Sequence, residues 1–66
     1  MNIIFNGKPR ETQASINIQE LLDQMQLDCM QVIVEHNKSI IPRQRLADTA
    51  LNDGDTLEVI HFVGGG

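Results

Sequence analysis

The residues with the clearest chemical use are Gly64, Gly65 and Gly66, which close the 66-residue sequence. Glycine has no Cβ, so a run of it can thread a channel too narrow for any other residue. Fully extended, the three residues reach about 11 Å past the last strand, at roughly 3.3–3.6 Å each. Such a tail leaves the carboxylate of Gly66 unhindered. A carboxylate is a poor electrophile, but as an acyl-adenylate it acquires a leaving group, and a thiol or persulfide can then attack. The chain cannot make that adenylate alone. It has no GxxxxGK[ST] phosphate loop, and its lysines, Lys8 and Lys38, follow no such loop. ATP handling must come from a partner enzyme. The plainer reading is a frayed terminus, since glycine tails are disordered by default. The position of the glycines directly after a strand that closes a compact domain favours the chemical reading. Gly66 would carry the reaction, and Gly65 and Gly64 would give access to it.

Other reactive side chains are few. Cys29 is the only cysteine, which rules out an intramolecular disulfide. A reactive thiol needs an electropositive, partly open setting, and the neighbour of Cys29 is Asp28, so it reads as a structural or incidental cysteine. His36 and His61 belong to no Cys/His cluster with ligand spacing, so they read as strand residues and not as metal ligands. Arg43 and Arg45 flank a loop and read as solvated charge, with contact to a partner carboxylate as the alternative. Asp53 and Asp55 read as turn formers. No nucleophile–base pair can be assembled from these residues.

The elements that must position the tail follow from periodicity. Met1–Phe5 is an apolar run that reads as a strand. Asn6-Gly7 is a strong hairpin signal, because a type I′ turn needs positive φ at both central positions. The return strand spans 8–14, and Pro9 confines it to a sheet edge. Asn17 with Glu20 forms a capping-box pattern, and Ile18, Leu21, Leu22 and Met25 recur at helical spacing. A helix is expected over 18–27. Strands follow at 31–36 and 39–41, joined by an Asn37-Lys38 turn, and the first has apolar residues of both parities, which predicts cover on both faces. Residues 43–51 read as irregular or a short helical turn. Gly54 supplies positive φ in an Asn-Asp-Gly-Asp turn, and the last strand runs over 56–63. Domain limits are expected at 1–63, with 64–66 as a flexible tail.

The order is strand, strand, helix, then three strands. Its first and last strands can lie side by side in parallel with the helix across one face. That is an α+β roll of the β-grasp type, a mixed sheet of four to five strands with one main helix. On the last strand Leu57 and Val59 share one parity, and Ile60 and Phe62 share the other. If the helix covers the first pair, Ile60 and Phe62 form an exposed docking patch beside the tail. If a bulge intervenes, they belong to the core.

Composition narrows the function classes. A net charge of −4 with no basic run argues against nucleic acid and suits a basic docking surface on an enzyme. No apolar run is long enough to span a membrane and no signal peptide is evident, so cytoplasm is the default. A domain this small buries only roughly 60% of its unfolded surface and has little room for an enzyme pocket beside its core.

Three segments resemble one family. MNIIFNGKPRE, VIVEHNKSIIPR and LNDGDTLEVIHFVGGG are similar to the opening, centre and end of the thiamine-biosynthesis sulfur carriers (ThiS), over essentially the whole chain. The resemblance implies the ubiquitin-like β-grasp fold. It implies that an E1-like adenylyltransferase (ThiF-like) uses ATP and magnesium to adenylate Gly66. Sulfur from a cysteine-desulfurase persulfide would then give a thiocarboxylate, which donates sulfur to thiazole synthase (ThiG-like). The chain would bind no cofactor itself and would act as a co-substrate, not an enzyme. Gly64 departs from the family, where another small residue such as Ala often stands. The alternatives are a carrier similar to the molybdopterin-synthase small subunit (MoaD), a ubiquitin-like protein modifier, or a binding module with an inert tail. A β-grasp ferredoxin is excluded, because one cysteine cannot ligate an iron–sulfur cluster.

Overall fold

The computed structural model describes residues 1–62. Val63, Gly64, Gly65 and Gly66 lie outside the described residues, and with them the domain limit at 63 and the tail. The strands are β1 (Asn2–Phe5), β2 (Lys8–Glu11), β3 (Val32–His36), β4 (Ser39–Ile41) and β5 (Thr56–His61). One α-helix, α1 (Ile18–Gln24), and two 3-10 turns at Cys29–Gln31 and Arg43–Asp48 complete the order. The sheet runs β2-β1-β5-β3-β4. β1 and β5 pair in parallel, and every other pair is antiparallel. The expected α+β roll is therefore present, with the last strand at its centre.

Local sequence explains most boundaries. Asn6 and Gly7 take φ of 49° and 82°, as the first hairpin requires. Asn37 and Lys38 take φ of 50° and 73°, so the second hairpin turns in the same way without any glycine. Asn17 caps α1 as expected: its Oδ1 accepts from the Glu20 amide at 2.8 Å, and Glu20 Oε1 accepts from the Asn17 amide at 2.9 Å.

Three spans and one burial pattern differ from the sequence reading; the first is β5, expected over 56–63, which ends at His61. The helix ends at Gln24, not at 27, because Gln26 adopts φ of 58°. The Leu27 amide bonds back to the Leu22 carbonyl at 2.9 Å, and the Gln26 amide to that of Asp23 at 3.0 Å. This is a Schellman closure with glutamine where glycine is usual, so the stop signal was absent from the sequence. β2 ends at Glu11, not at Ala14: its last partner in β1 is Asn2, and just beyond it the Thr12 amide donates to the Met1 carbonyl at 2.8 Å. β3 is covered on one face only: Val32 and Val34 point inward, while Ile33 is 37% exposed.

The core lies between α1 and the inner face of the sheet. Ile18, Leu21 and Leu22 of the helix meet Ile3, Val34, Leu57 and Val59 of the strands. Ile16, Leu46 and Leu51 close it from the connecting segments. Met25 packs at the margin and is only partly buried.

Candidate functional site

The end of β5 is where the tail must leave the domain, and its neighbours change along its length. The Ile4 amide donates to the Asp55 carbonyl, and that of Asn6 to the Leu57 carbonyl, both at 2.9 Å. At Gly7 the chain turns away, so Val59 has no backbone partner on that side. The Asn6 side chain replaces one. Its Oδ1 accepts from the Val59 amide at 2.7 Å, and its Nδ2 donates to the Val59 carbonyl at 3.2 Å. Among the described residues, β5 past Val59 is held from one side only, by β3. The Phe62 amide donates to the Gln31 carbonyl at 3.0 Å, which keeps the chain aligned up to the last described residue. Sequence reasoning took Asn6 for a turn residue and missed this clamp, since nothing in Asn-Gly announces a side chain bonded 53 residues away.

Parity on β5 separates core from surface and places Ile60 and Phe62 outside the core. Leu57 and Val59 are buried against the helix, while Ile60 and Phe62 are 53% and 51% exposed. Ile60 stands opposite Ile33 across the strand pair, so the two isoleucines make one apolar surface on the outer face. Next to them along the sheet, Glu58 stands opposite Glu35, and Ile40 of β4 flanks Glu35 on its other side. Beside Phe62, at the end of β4, lies a shallow cavity of about 180 Å³ whose lining includes Cys29, Val32, Ile41 and Arg43.

The remaining candidates are dispersed. Cys29 is half-buried and packs at the edge of the core. His61 is exposed near the end of β5. Arg43 and Arg45 are exposed on the second 3-10 turn. Among the described residues, no group of three His, Cys, Asp or Glu side chains could hold a metal ion.

His36 and the two aspartates have structural partners at the far end of β5. His36 Nε2 lies 2.6 Å from Asp55 Oδ2, which also accepts from the Asn52 amide at 2.8 Å. Asp55 Oδ1 accepts from Asn37 Nδ2 at 3.2 Å, and Asn37 Oδ1 accepts from the Thr56 amide at 2.9 Å. Burial alone would raise the Asp55 pKa. The hydrogen bonds from His36, Asn52 and Asn37, with the attraction of His36, outweigh burial and hold it below the ordinary 3.8. Asp53 Oδ1 accepts from the Asn2 amide at 2.7 Å. Both aspartates form the turn as expected, and both also tie it to other strands.

The sequence model of the ThiS family matches residues 3–66. The chain belongs to the ThiS family. It is 51% identical over 63 residues to the sulfur carrier protein ThiS of Bacillus subtilis (strain 168), covering 94% of this chain and 96% of that relative. It is also 41% identical over 66 residues to a thiazole synthase of Paramagnetospirillum magneticum. That match takes in all of this chain but only 20% of the longer protein. The crystal structure of a thiamine biosynthesis protein, ThiS, from Geobacter metallireducens superposes with a TM-score of 0.87 at 36% identity, covering 100% of both chains. The five-stranded mixed sheet with its single α-helix is thus the ThiS β-grasp.

Proposed function

We propose that this protein is a sulfur carrier of thiamine biosynthesis whose working group is the carboxylate of Gly66. An E1-like adenylyltransferase, using ATP and magnesium, converts that carboxylate to an acyl-adenylate and releases pyrophosphate. The outer sulfur of a persulfide derived from a cysteine desulfurase adds to the acyl carbon, and AMP leaves. A second thiol then attacks the donor-side sulfur of the resulting acyl disulfide, forming a disulfide with the donor and releasing the thiocarboxylate, which passes its sulfur to thiazole synthase. The protein is a recycled co-substrate in this cycle. The observation that carries the reading is membership of the ThiS family over residues 3–66. Two further observations support it. The exposed Ile60 of β5 and Phe62, one residue past its end, precede the glycines, where an enzyme gripping the domain would find them. The thiazole synthase relatives contain a segment similar to this whole chain, as expected if carrier and synthase work together.

The test is direct. The protein is incubated with the source organism's E1-like adenylyltransferase, ATP and a persulfide donor, and its intact mass is measured. Replacement of one oxygen by sulfur is expected, and deletion of Gly66 should abolish it while leaving the circular dichroism spectrum unchanged. Covalent ladders on other proteins would instead make the chain a protein modifier. Full activity without Gly66 would refute the assignment of the terminal residue.

A further inference from the structure

β1 and β5 run in parallel, and their ladder stops before β5 does. The Ile4 and Asn6 amides donate to the carbonyls of Asp55 and Leu57, so Val59 is the next residue of β5 to turn its backbone groups towards β1. Were β1 to continue, the carbonyl of Asn6 would accept from the Val59 amide, and the amide of Lys8 would donate to the Val59 carbonyl. The hairpin carries both groups away. The Asn6 side chain supplies the same pair: Oδ1 accepts from the Val59 amide at 2.7 Å, and Nδ2 donates to the Val59 carbonyl at 3.2 Å. A carboxamide has both the carbonyl and the N–H of a peptide unit, so Asn6 forms a last rung of the ladder with its side chain.

Asn6 therefore meets two separate demands. Its backbone sits at φ of 49°, which the type I′ turn requires. Glycine would satisfy that demand equally well. The bonds to Val59 need the side chain. They also mark a boundary, because among the described residues β5 past Val59 is bonded only along its β3 edge, as far as the Phe62 amide on the Gln31 carbonyl. A strand bonded along one edge can swing about that edge, and bonds on both edges at Val59 fix its direction. From Val59 to Phe62 is about 10 Å, at roughly 3.3 Å per residue, so a swing of about 10° displaces Phe62 by about 2 Å. The glycines that follow have no side chains through which an enzyme could correct their course.

Resting on the carrier reading above, we infer that Asn6 is a positioning residue for the reaction at Gly66. It acts through Val59, aiming the end of β5 and with it the carboxylate, and does not touch the reacting atoms.

The experiment measures adenylation kinetics of the full-length protein with the source organism's E1-like adenylyltransferase, well below the melting temperature of every variant. Amide hydrogen exchange at Val59 reports on the clamp in the free protein. Asn6→Gly keeps the turn, since Gly-Gly suits type I′, and removes the side chain. Asn6→Asp keeps one acceptor for the Val59 amide but has no N–H for the Val59 carbonyl. Asp55→Asn weakens the opposite end of β5 and controls for lost stability. In Asn6→Gly the Val59 amide should exchange faster. Its kcat should fall about tenfold while KM for the carrier stays within about twofold, since misplacement by about 1 Å can cost about 100-fold and the glycines recover part of it. Asn6→Asp should fall between the native protein and Asn6→Gly, and Asp55→Asn should keep the native kcat. Faster exchange at Val59 with an unchanged kcat would overturn the inference and leave the carrier reading standing. So would protection of Val59 that survives in Asn6→Gly. A raised KM at constant kcat would overturn it by making Asn6 a contact with the enzyme. An equal loss of kcat in Asp55→Asn would overturn it by making the effect one of stability. A native protein that is never adenylated would overturn the carrier reading, and this inference with it.

Discussion

Asp55 uses its charge to tie separate turns together. Its carboxylate gathers His36, Asn37 and the Asn52 amide, joining the turn before β5 to the hairpin between β3 and β4. Asp55→Asn keeps the size and one acceptor oxygen but loses the charge. We expect a loss of about 1–2 kcal/mol at neutral pH, read from urea unfolding. The pH dependence has a definite sign. Because the native pKa lies below the unfolded value of 3.8, the contribution is complete above that value and is lost as pH falls through the lowered native one. The native protein and the variant should therefore converge in stability at strongly acidic pH, and a gap that persists there would show that charge is not the cause. This network was only half legible in the sequence. Asp-Gly-Asp announces a turn, but the pairing of Asp55 with His36 depends on β3 and β5 being neighbours, which no local pattern contains.

At the level of elements, the signals that were read correctly are those carried by short-range geometry. Asn6-Gly7 and the Asn17–Glu20 box each specify a backbone conformation within four residues, and both appear as expected. The helix end was misread for the complementary reason. Gln26 holds a left-handed conformation at φ of 58° that costs an ordinary residue about 1–2 kcal/mol. The packing of Leu27 at the edge of the core holds it there. Gln26→Gly should relieve most of that strain. We expect a gain of up to about 1 kcal/mol, less the extra freedom glycine has in the unfolded chain. That corresponds to roughly 4–8 °C in melting temperature for a domain of this size. A lower melting temperature would mean that the glutamine side chain contributes a contact greater than the strain. The sidedness of β3 was misread because Ile33 belongs to an outward apolar surface, and a strand facing a partner looks in sequence like one buried in its own core.

Among the described residues, the exposed isoleucines of the strands, Ile4, Ile33, Ile40 and Ile60, share the face opposite the helix. The doubt left by the sequence, whether Ile60 and Phe62 are core or surface, is resolved by their exposure and by the burial of Leu57 and Val59. I60D/F62D should consequently leave the unfolding midpoint within about 0.5 kcal/mol of the native value, as for most surface changes, and abolish adenylation. Loss of folding in that variant would contradict the outward orientation. The central place of β5 has a further consequence for biosynthesis. Two hairpins, residues 2–11 and 32–41, are complete long before the strand that separates them. On the ribosome they must wait with open edges until residues 56–61 have left the exit tunnel, and only then can the sheet form. A chain interrupted ahead of Leu57 has two halves of a sheet with nothing to join them, so folding competence arrives with β5 rather than accumulating along the chain.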